Sequence, residues 1–186
     1  ATNEERSFDL IVSGEGVNFI IPIIQVGKFI SVRPIIKEFG QASDSQIFTV
    51  ESNVSWTVSN LPTWLSASPT SGTNDGSFTL TALANPSATE RDATILVSGS
   101  GILFNIPIFQ DGEVLEIDPQ TKDVSPSSNT YDILVTSNIS WNVVSSESWA
   151  TLNASSGTGN GIITVTVDPN VGSRRTADIT FTGGAQ

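Results

Sequence analysis

The sequence predicts an all-β protein made of tandem immunoglobulin-like antiparallel β-sandwiches of about 85 residues each. Three observations carry this reading. The chain repeats itself at a period of about 85 residues, its apolar residues alternate at period two in short runs, and Gly, Pro, Asn, Asp or Ser closes each run. A shift of 85 places Arg6, Gly14, Phe19, Ile21, Pro22, Ile23 and Gln25 on Arg91, Gly99, Phe104, Ile106, Pro107, Ile108 and Gln110 without a gap. The same shift places Ser52, Asn53, Trp56, Trp64, Gly72 and Gly76 on Ser137, Asn138, Trp141, Trp149, Gly157 and Gly161. Past Arg175 the offset falls to 84, and Gln186 aligns with Ile102.

In the middle repeat the alternation predicts strands near 29–33, 46–51, 54–59, 64–67, 77–82, 93–98 and 102–109. Phe48 and Val50 share a face in the second run, Trp56 and Val58 in the third, Phe78, Leu80 and Ala82 in the fifth, and Ile95 and Val97 in the sixth. No run has helical periodicity. The segments Ser71-Gly72-Thr73-Asn74-Asp75-Gly76 and Ser156-Gly157-Thr158-Gly159-Asn160-Gly161 read as turns whose residues tolerate positive φ. Ser98-Gly99-Ser100-Gly101 reads as the turn before the last strand. Pro107 in that strand cannot donate a ladder hydrogen bond, which predicts a sheet edge or a bulge, and Pro22 says the same of the first copy.

The repeat frames three segments: residues 1–27 as the C-terminal strands of a preceding module, 28–112 as a complete module, and 113–186 as a module lacking its last strand. Linkers are short, since Gln25-Val26-Gly27-Lys28 and Gln110-Asp111-Gly112-Glu113 leave scarcely two residues between strands. With no basic run before an apolar core in residues 1–16, and no methionine, the chain reads as a processed product or part of something longer.

Composition excludes several function classes. Eight basic against 19 acidic residues, spread evenly, leave a net charge of -11 with no basic stripe, which argues against nucleic acid or an anionic membrane as partner. Without cysteine, disulfides and thiolate metal sites are ruled out, and without histidine the usual general base and commonest metal ligand are missing too. No run reaches the length of a membrane span; the longest, Phe19 to Ile24, contains a proline. Paired carboxylates for glycoside hydrolysis need a cleft, and here the acids fall mostly in turns.

Several segments together resemble the BACON domain, an immunoglobulin-like module named for Bacteroidetes-associated carbohydrate-binding proteins. They are Ser52-Asn53-Val54-Ser55-Trp56, the stretch Trp64 to Gly72, Arg91, and the closing Ile106-Pro107-Ile108-Phe109-Gln110. The last repeat carries Ser137-Asn138-Ile139-Ser140-Trp141, Trp149, Ser156-Gly157 and Arg175, and residues 1–27 carry Arg6 and Ile21-Pro22-Ile23-Ile24-Gln25. The resemblance implies a surface or secreted module of glycan-degrading proteins or of phages infecting Bacteroidetes. It implies carbohydrate or mucin binding in some members and a spacer role in others.

Trp56 and Trp141 lie in period-two runs and read as core. Trp64 and Trp149 open short strands where one face can stay open, which makes them the carbohydrate-binding candidates. Asp111-Gly112-Glu113 with Asp118, and Asn74-Asp75-Gly76, hold enough oxygen for calcium but lack the spacing of a defined loop and read as solvated turns. Arg6, Arg91 and Arg175 recur at one position, as expected of a salt bridge or backbone tie. Asn53-Val54-Ser55 and Asn138-Ile139-Ser140 match the N-glycosylation pattern.

The expected function is non-catalytic: a part of an extracellular fibre, adhesin or cell-surface stalk, or of a phage virion fibre, with no cofactor and no metal. Two partners are candidates, a second copy joined head to tail through Val17 to Gln25 by β-strand addition and a glycan or mucin ligand; the competing account of the two mismatched ends is an excerpt of a longer array, completed by flanking sequence. EDTA and reductant should leave the melting temperature unchanged, and a calcium-dependent rise of several degrees would make the 111–118 segment a cation site.

Overall fold

The computed structural model describes residues 4–184. They form eighteen strands and no helix: β1 (Arg6–Gly14), β2 (Val17–Gln25), β3 (Ile30–Arg33), β4 (Lys37–Phe39), β5 (Asp44–Ser52), β6 (Ser55–Ser59), β7 (Leu65–Ser68), β8 (Ser71–Thr73), β9 (Gly76–Ala82), β10 (Arg91–Gly99), β11 (Ile102–Gln110), β12 (Leu115–Asp118), β13 (Asn129–Ser137), β14 (Ser140–Ser145), β15 (Ala150–Leu152), β16 (Ser156–Thr158), β17 (Gly161–Val167) and β18 (Ile179–Gly183). The all-β, immunoglobulin-like expectation is met. Two compact units divide the chain, one holding residues up to 84 with 92–109, the other 85–91 with residues from 110 onward.

In the first unit, the sheet β3-β5-β9-β7 faces the sheet β4-β11-β10-β6-β8. The inward side chains follow the period-two reading: Phe48, Val50, Trp56, Val58, Phe78, Leu80, Ile95, Val97, Ile106 and Ile108 are all buried in one core. Phe48 and Phe78 are register partners whose rings stack with centroids 5.1 Å apart. The second unit repeats the plan with β12-β13-β17-β15 and β16-β14-β18. Ile133 and Ile163 take the places of the two phenylalanines. Trp141 instead finds its aromatic neighbour in Phe181, 5.8 Å away.

Two strands were not foreseen, and one placement is corrected. β4 is too short to show an alternation. β8 lies where the sequence reads as turn, because Gly72 is not there for positive φ: it pairs with Trp56, and a Cβ on it would sit 2.6 Å from Cε2 of the indole. Gly157 and Trp141 repeat this, with a gap of 2.7 Å to Cη2. The left-handed residues of the two turns are Asn74 (φ 60°) and Gly159 (φ 68°). Each indole Nε1 donates to the carbonyl of that residue, Trp56 to Asn74 at 2.9 Å and Trp141 to Gly159 at 2.8 Å.

Nor is β11 an edge strand, since it lies between β4 and β10. Its proline is tolerated because β4 spans only three residues against nine in β11, leaving part of that side without a strand partner. β2 does lie at an edge, in a two-stranded sheet with β1 registered Arg6↔Gln25 through Gly14↔Val17. Every side chain of this hairpin is exposed.

A double-mutant cycle tests the indole seat. Trp56→Ala should cost about 3–5 kcal/mol, the range for large core aromatics. Gly72→Ala should cost about 1–3 kcal/mol by overpacking and become nearly neutral in the Trp56→Ala background, as urea unfolding would report. Additive costs would mean that Gly72 is needed for its backbone and not for the ring.

Candidate functional site

Several chemistry-bearing side chains in the two sandwiches hold the fold. Asp75 Oδ1 accepts from the Ser52 backbone N–H at 2.8 Å, and Asn160 Oδ1 accepts from Ser137 in the same way. Asn53 and Asn138, which match the glycosylation pattern, clamp strand entries: Asn53 donates to the Gly27 carbonyl at 2.8 Å and accepts from Phe29, and Asn138 does the same with Gly112 and Val114. Asp111 offers its backbone carbonyl to Asn85 at 3.0 Å. Among the described residues no three Asp or Glu side chains converge on a point that could hold a metal.

The recurring arginine differs from the expected salt bridge or backbone tie in two of its three copies: Arg6 and Arg91 bond a glutamine side chain, and Arg175 alone bonds backbone carbonyls. Arg91 donates through Nε and Nη2 to Gln110 Oε1 at 3.0 and 2.8 Å, and burial lowers its pKa. Arg6 donates to Gln25 at 2.6 Å. Arg175 donates to the backbone carbonyls of Asp168 and Pro169, at 2.6 and 3.2 Å, and its guanidinium lies 4.1 Å from the centre of the Trp149 ring.

Of the four tryptophans, Trp56 and Trp141 are core, 2% and 4% exposed. Trp64 and Trp149, the sequence candidates for sugar stacking, are half-buried and packed against their respective cores.

The feature that sequence reasoning located only indirectly is a groove of about 1660 Å³ in the second unit, lined among others by Ile117, Tyr131, Trp149, Arg175, Ile179 and Phe181. It lies where the two repeats differ. In the first unit β10 is covered by β11; in the second, β18 is the edge of its sheet among the described residues. Ile95 and Val97 are fully buried, while their counterparts Ile179 and Phe181 are only half-buried. The same holds for Ile30, Val32 and Phe39 against Leu115, Ile117 and Val124. Pairing fails too: Arg91 to Thr94 are in a strand, and the equivalent Arg175 to Asp178 are not. The groove is mixed in character: Ile117, Tyr131, Ile179 and Phe181 line it together with Asp118, Lys122, Asp123, Asp168 and Arg174.

The architecture is that of tandem immunoglobulin-like domains, and the family matches give the class, a binding or surface module. Residues 30–113 match the family model described as "Viral BACON domain", and residues 140–186 match BACON, described as "Putative binding domain, N-terminal". The chain carries two tandem BACON-type domains, which are binding and not catalytic modules. No curated protein matches it.

Among solved structures, a Bacteroides ovatus GH5 xyloglucanase in complex with a XXXG heptasaccharide is 24% identical over 53% of this chain, with a TM-score of 0.44, and the chain spans 22% of that enzyme's length. The D0-D1 domain of intimin is 13% identical over 82% of this chain and 89% of its own, with a TM-score of 0.30. The periplasmic chaperone SfaE is 13% identical over 83% of this chain and 92% of its own, with a TM-score of 0.34. With TM-scores this low, none of these likenesses carries functional weight.

Proposed function

We propose that this chain is a non-catalytic stretch of an extracellular fibre, adhesin or surface stalk, of a Bacteroidetes cell or an associated phage, whose copies join head to tail through Val17 to Gln25. The module boundaries proposed with it are 1–27, 28–112 and 113–186. The observation that carries the reading is the tandem of two BACON-type domains, with β2 repeating in Ile21, Pro22, Ile23 and Gln25 the pattern by which β11 pairs with β10 in the first unit. Repeated sandwiches with short linkers give length at little conformational freedom, and strand addition gives continuity between copies. A surface or secreted location fits the BACON-type domains, and among the described residues no helix is long and apolar enough to cross a membrane.

A second reading, a carbohydrate- or mucin-binding module, is favoured by one feature: Trp149 is half-buried at the groove, where a sugar would have to displace Arg175 from the ring face it covers. Sugar rings stack on such indoles. Sedimentation of the intact chain together with a glycan-array screen separates the two. The fibre reading predicts a mass that rises with concentration, falls to monomer on deletion of residues 1–25, and no glycan signal. Glycan binding abolished by Trp149→Ala or Trp64→Ala, with the chain strictly monomeric, would establish the second reading in its place.

A further inference from the structure

We infer that residues 85–91 are a clasp: the connection between two strands of the first sandwich closes on the linker 110–113, and the stability of the second unit depends on it. The clasp is independent of how copies of the chain meet, because every residue in it lies well inside the sequence.

The division of the chain is the first observation. Residues 85–91 lead from β9 into β10, both strands of the first sandwich, yet they belong to the second unit together with the chain from Gln110 onward. The chain therefore crosses between the units three times, after residues 84, 91 and 109. A plain linker would cross once.

Three rungs join the loop to the linker, all of them inside the second unit. At the base, Arg91 donates through Nε and Nη2 to Oε1 of Gln110, which is fully buried. Above it, Asn85 Nδ2 donates to the Asp111 carbonyl at 3.0 Å. At the tip, the Glu113 N–H donates to the Ser87 carbonyl at 2.7 Å. Between these last two rungs Gly112 is buried so closely under the loop that a Cβ on it would lie 2.6 Å from the Ser87 carbonyl oxygen and from the Ala88 carbonyl carbon. Those are backbone atoms and cannot swing aside, so glycine is required here for close approach.

Asn85 is the centre of the clasp. It is 2% exposed, and both its amide protons are used, since Nδ2 donates to the Thr89 carbonyl at 2.9 Å as well as to Asp111. Its Oδ1 accepts from the Ser87 N–H at 3.3 Å. Ser87 and Thr89 brace the loop further, hydroxyl to hydroxyl at 2.8 Å. From its other side the linker is held by the second sandwich: Asn138 donates to the Gly112 carbonyl at 2.9 Å and accepts from the Val114 N–H at 2.8 Å, and Ser137 Oγ donates to the Val114 carbonyl at 2.8 Å. β12 begins at the next residue, Leu115. The entry to the second sandwich is thus fixed from two sides, and one of them is lost when the strands that carry the loop come apart. A buried amide deprived of its partners costs more than the bond it made.

Hydrogen exchange on the intact chain in urea tests the clasp, with β13 and β17 reporting the second unit and β5 and β9 the first. N85A removes the amide, whereas N85D keeps its shape and the acceptor for Ser87 but cannot donate to Asp111 or Thr89. Both should speed exchange in β13 and β17 by about tenfold, the size expected when a buried amide loses its partners, and leave β5 and β9 unchanged. G112A should act in the same direction from the linker side; if it fails to fold, the two Asn85 variants decide. Faster exchange confined to 85–91 and 110–114 would show that the loop braces only itself and would overturn the inference. A rise in β5 and β9 that equals or exceeds that in β13 and β17 would assign the loop to the first sandwich and overturn it as well.

Discussion

The contact on which each sandwich depends is an indole laid against glycine backbone. Trp56 and Trp141 sit in the middle of their sheets, each with its Nε1 bound to a turn carbonyl 18 residues on and its ring face against a glycine 16 residues on. The ring needs a neighbour without a side chain, and the glycine needs a strand partner to hold it flat. β8 and β16 exist to meet both requirements. A second glycine closes the seat from the turn, where a Cβ on Gly76 or Gly161 would lie 3.1 or 3.0 Å from Cζ2 of the ring. The large apolar ring and its one polar atom are thus satisfied by one short turn, and a sandwich without disulfides obtains a fixed centre.

Around that centre the packing can vary while the frame is kept. Phe48 and Phe78 become Ile133 and Ile163, and the aromatic neighbour of the indole moves from Phe78 on the facing sheet to Phe181 on the indole's own sheet. The amides at strand entries do not vary. Ser52 and Ser137 each turn their hydroxyl onto the carbonyls of Phe29 and Val54, or of Val114 and Ile139, and Asn53 and Asn138 hold the preceding residues. Core volume is interchangeable between apolar residues, whereas buried polar groups have specific partners.

How much of this was legible follows from the period of each signal. The longer strands were visible because one face of each is buried and the alternation records it; β4 and β8, three residues each, are shorter than one and a half alternations. Gly72 was read for its backbone freedom when its role is closeness to a ring, a role that depends on a residue 16 positions away. Pro107 pointed to an edge that is only partly open. Of the candidate site, Trp64 and Trp149 were recognisable as the less buried pair, and the mismatch between the repeats pointed to a missing cover. The groove itself could not be read from β18, because Ile179 and Phe181 alternate like the residues of any covered strand. Only comparison with the buried Ile95 and Val97 reveals that their cover is absent among the described residues.

In the proposed head-to-tail reading a second copy pairs with β18 as β11 pairs with β10 in the first unit. Hydrogen exchange read strand by strand tests this most directly. If β2 of another copy closes the groove, amides of Ile179 to Gly183 should gain protection as concentration rises, approaching those of Arg91 to Gly99, while amides of β1 lose it. Exchange in β18 that stays fast and independent of concentration, with β1 unchanged, would contradict the account.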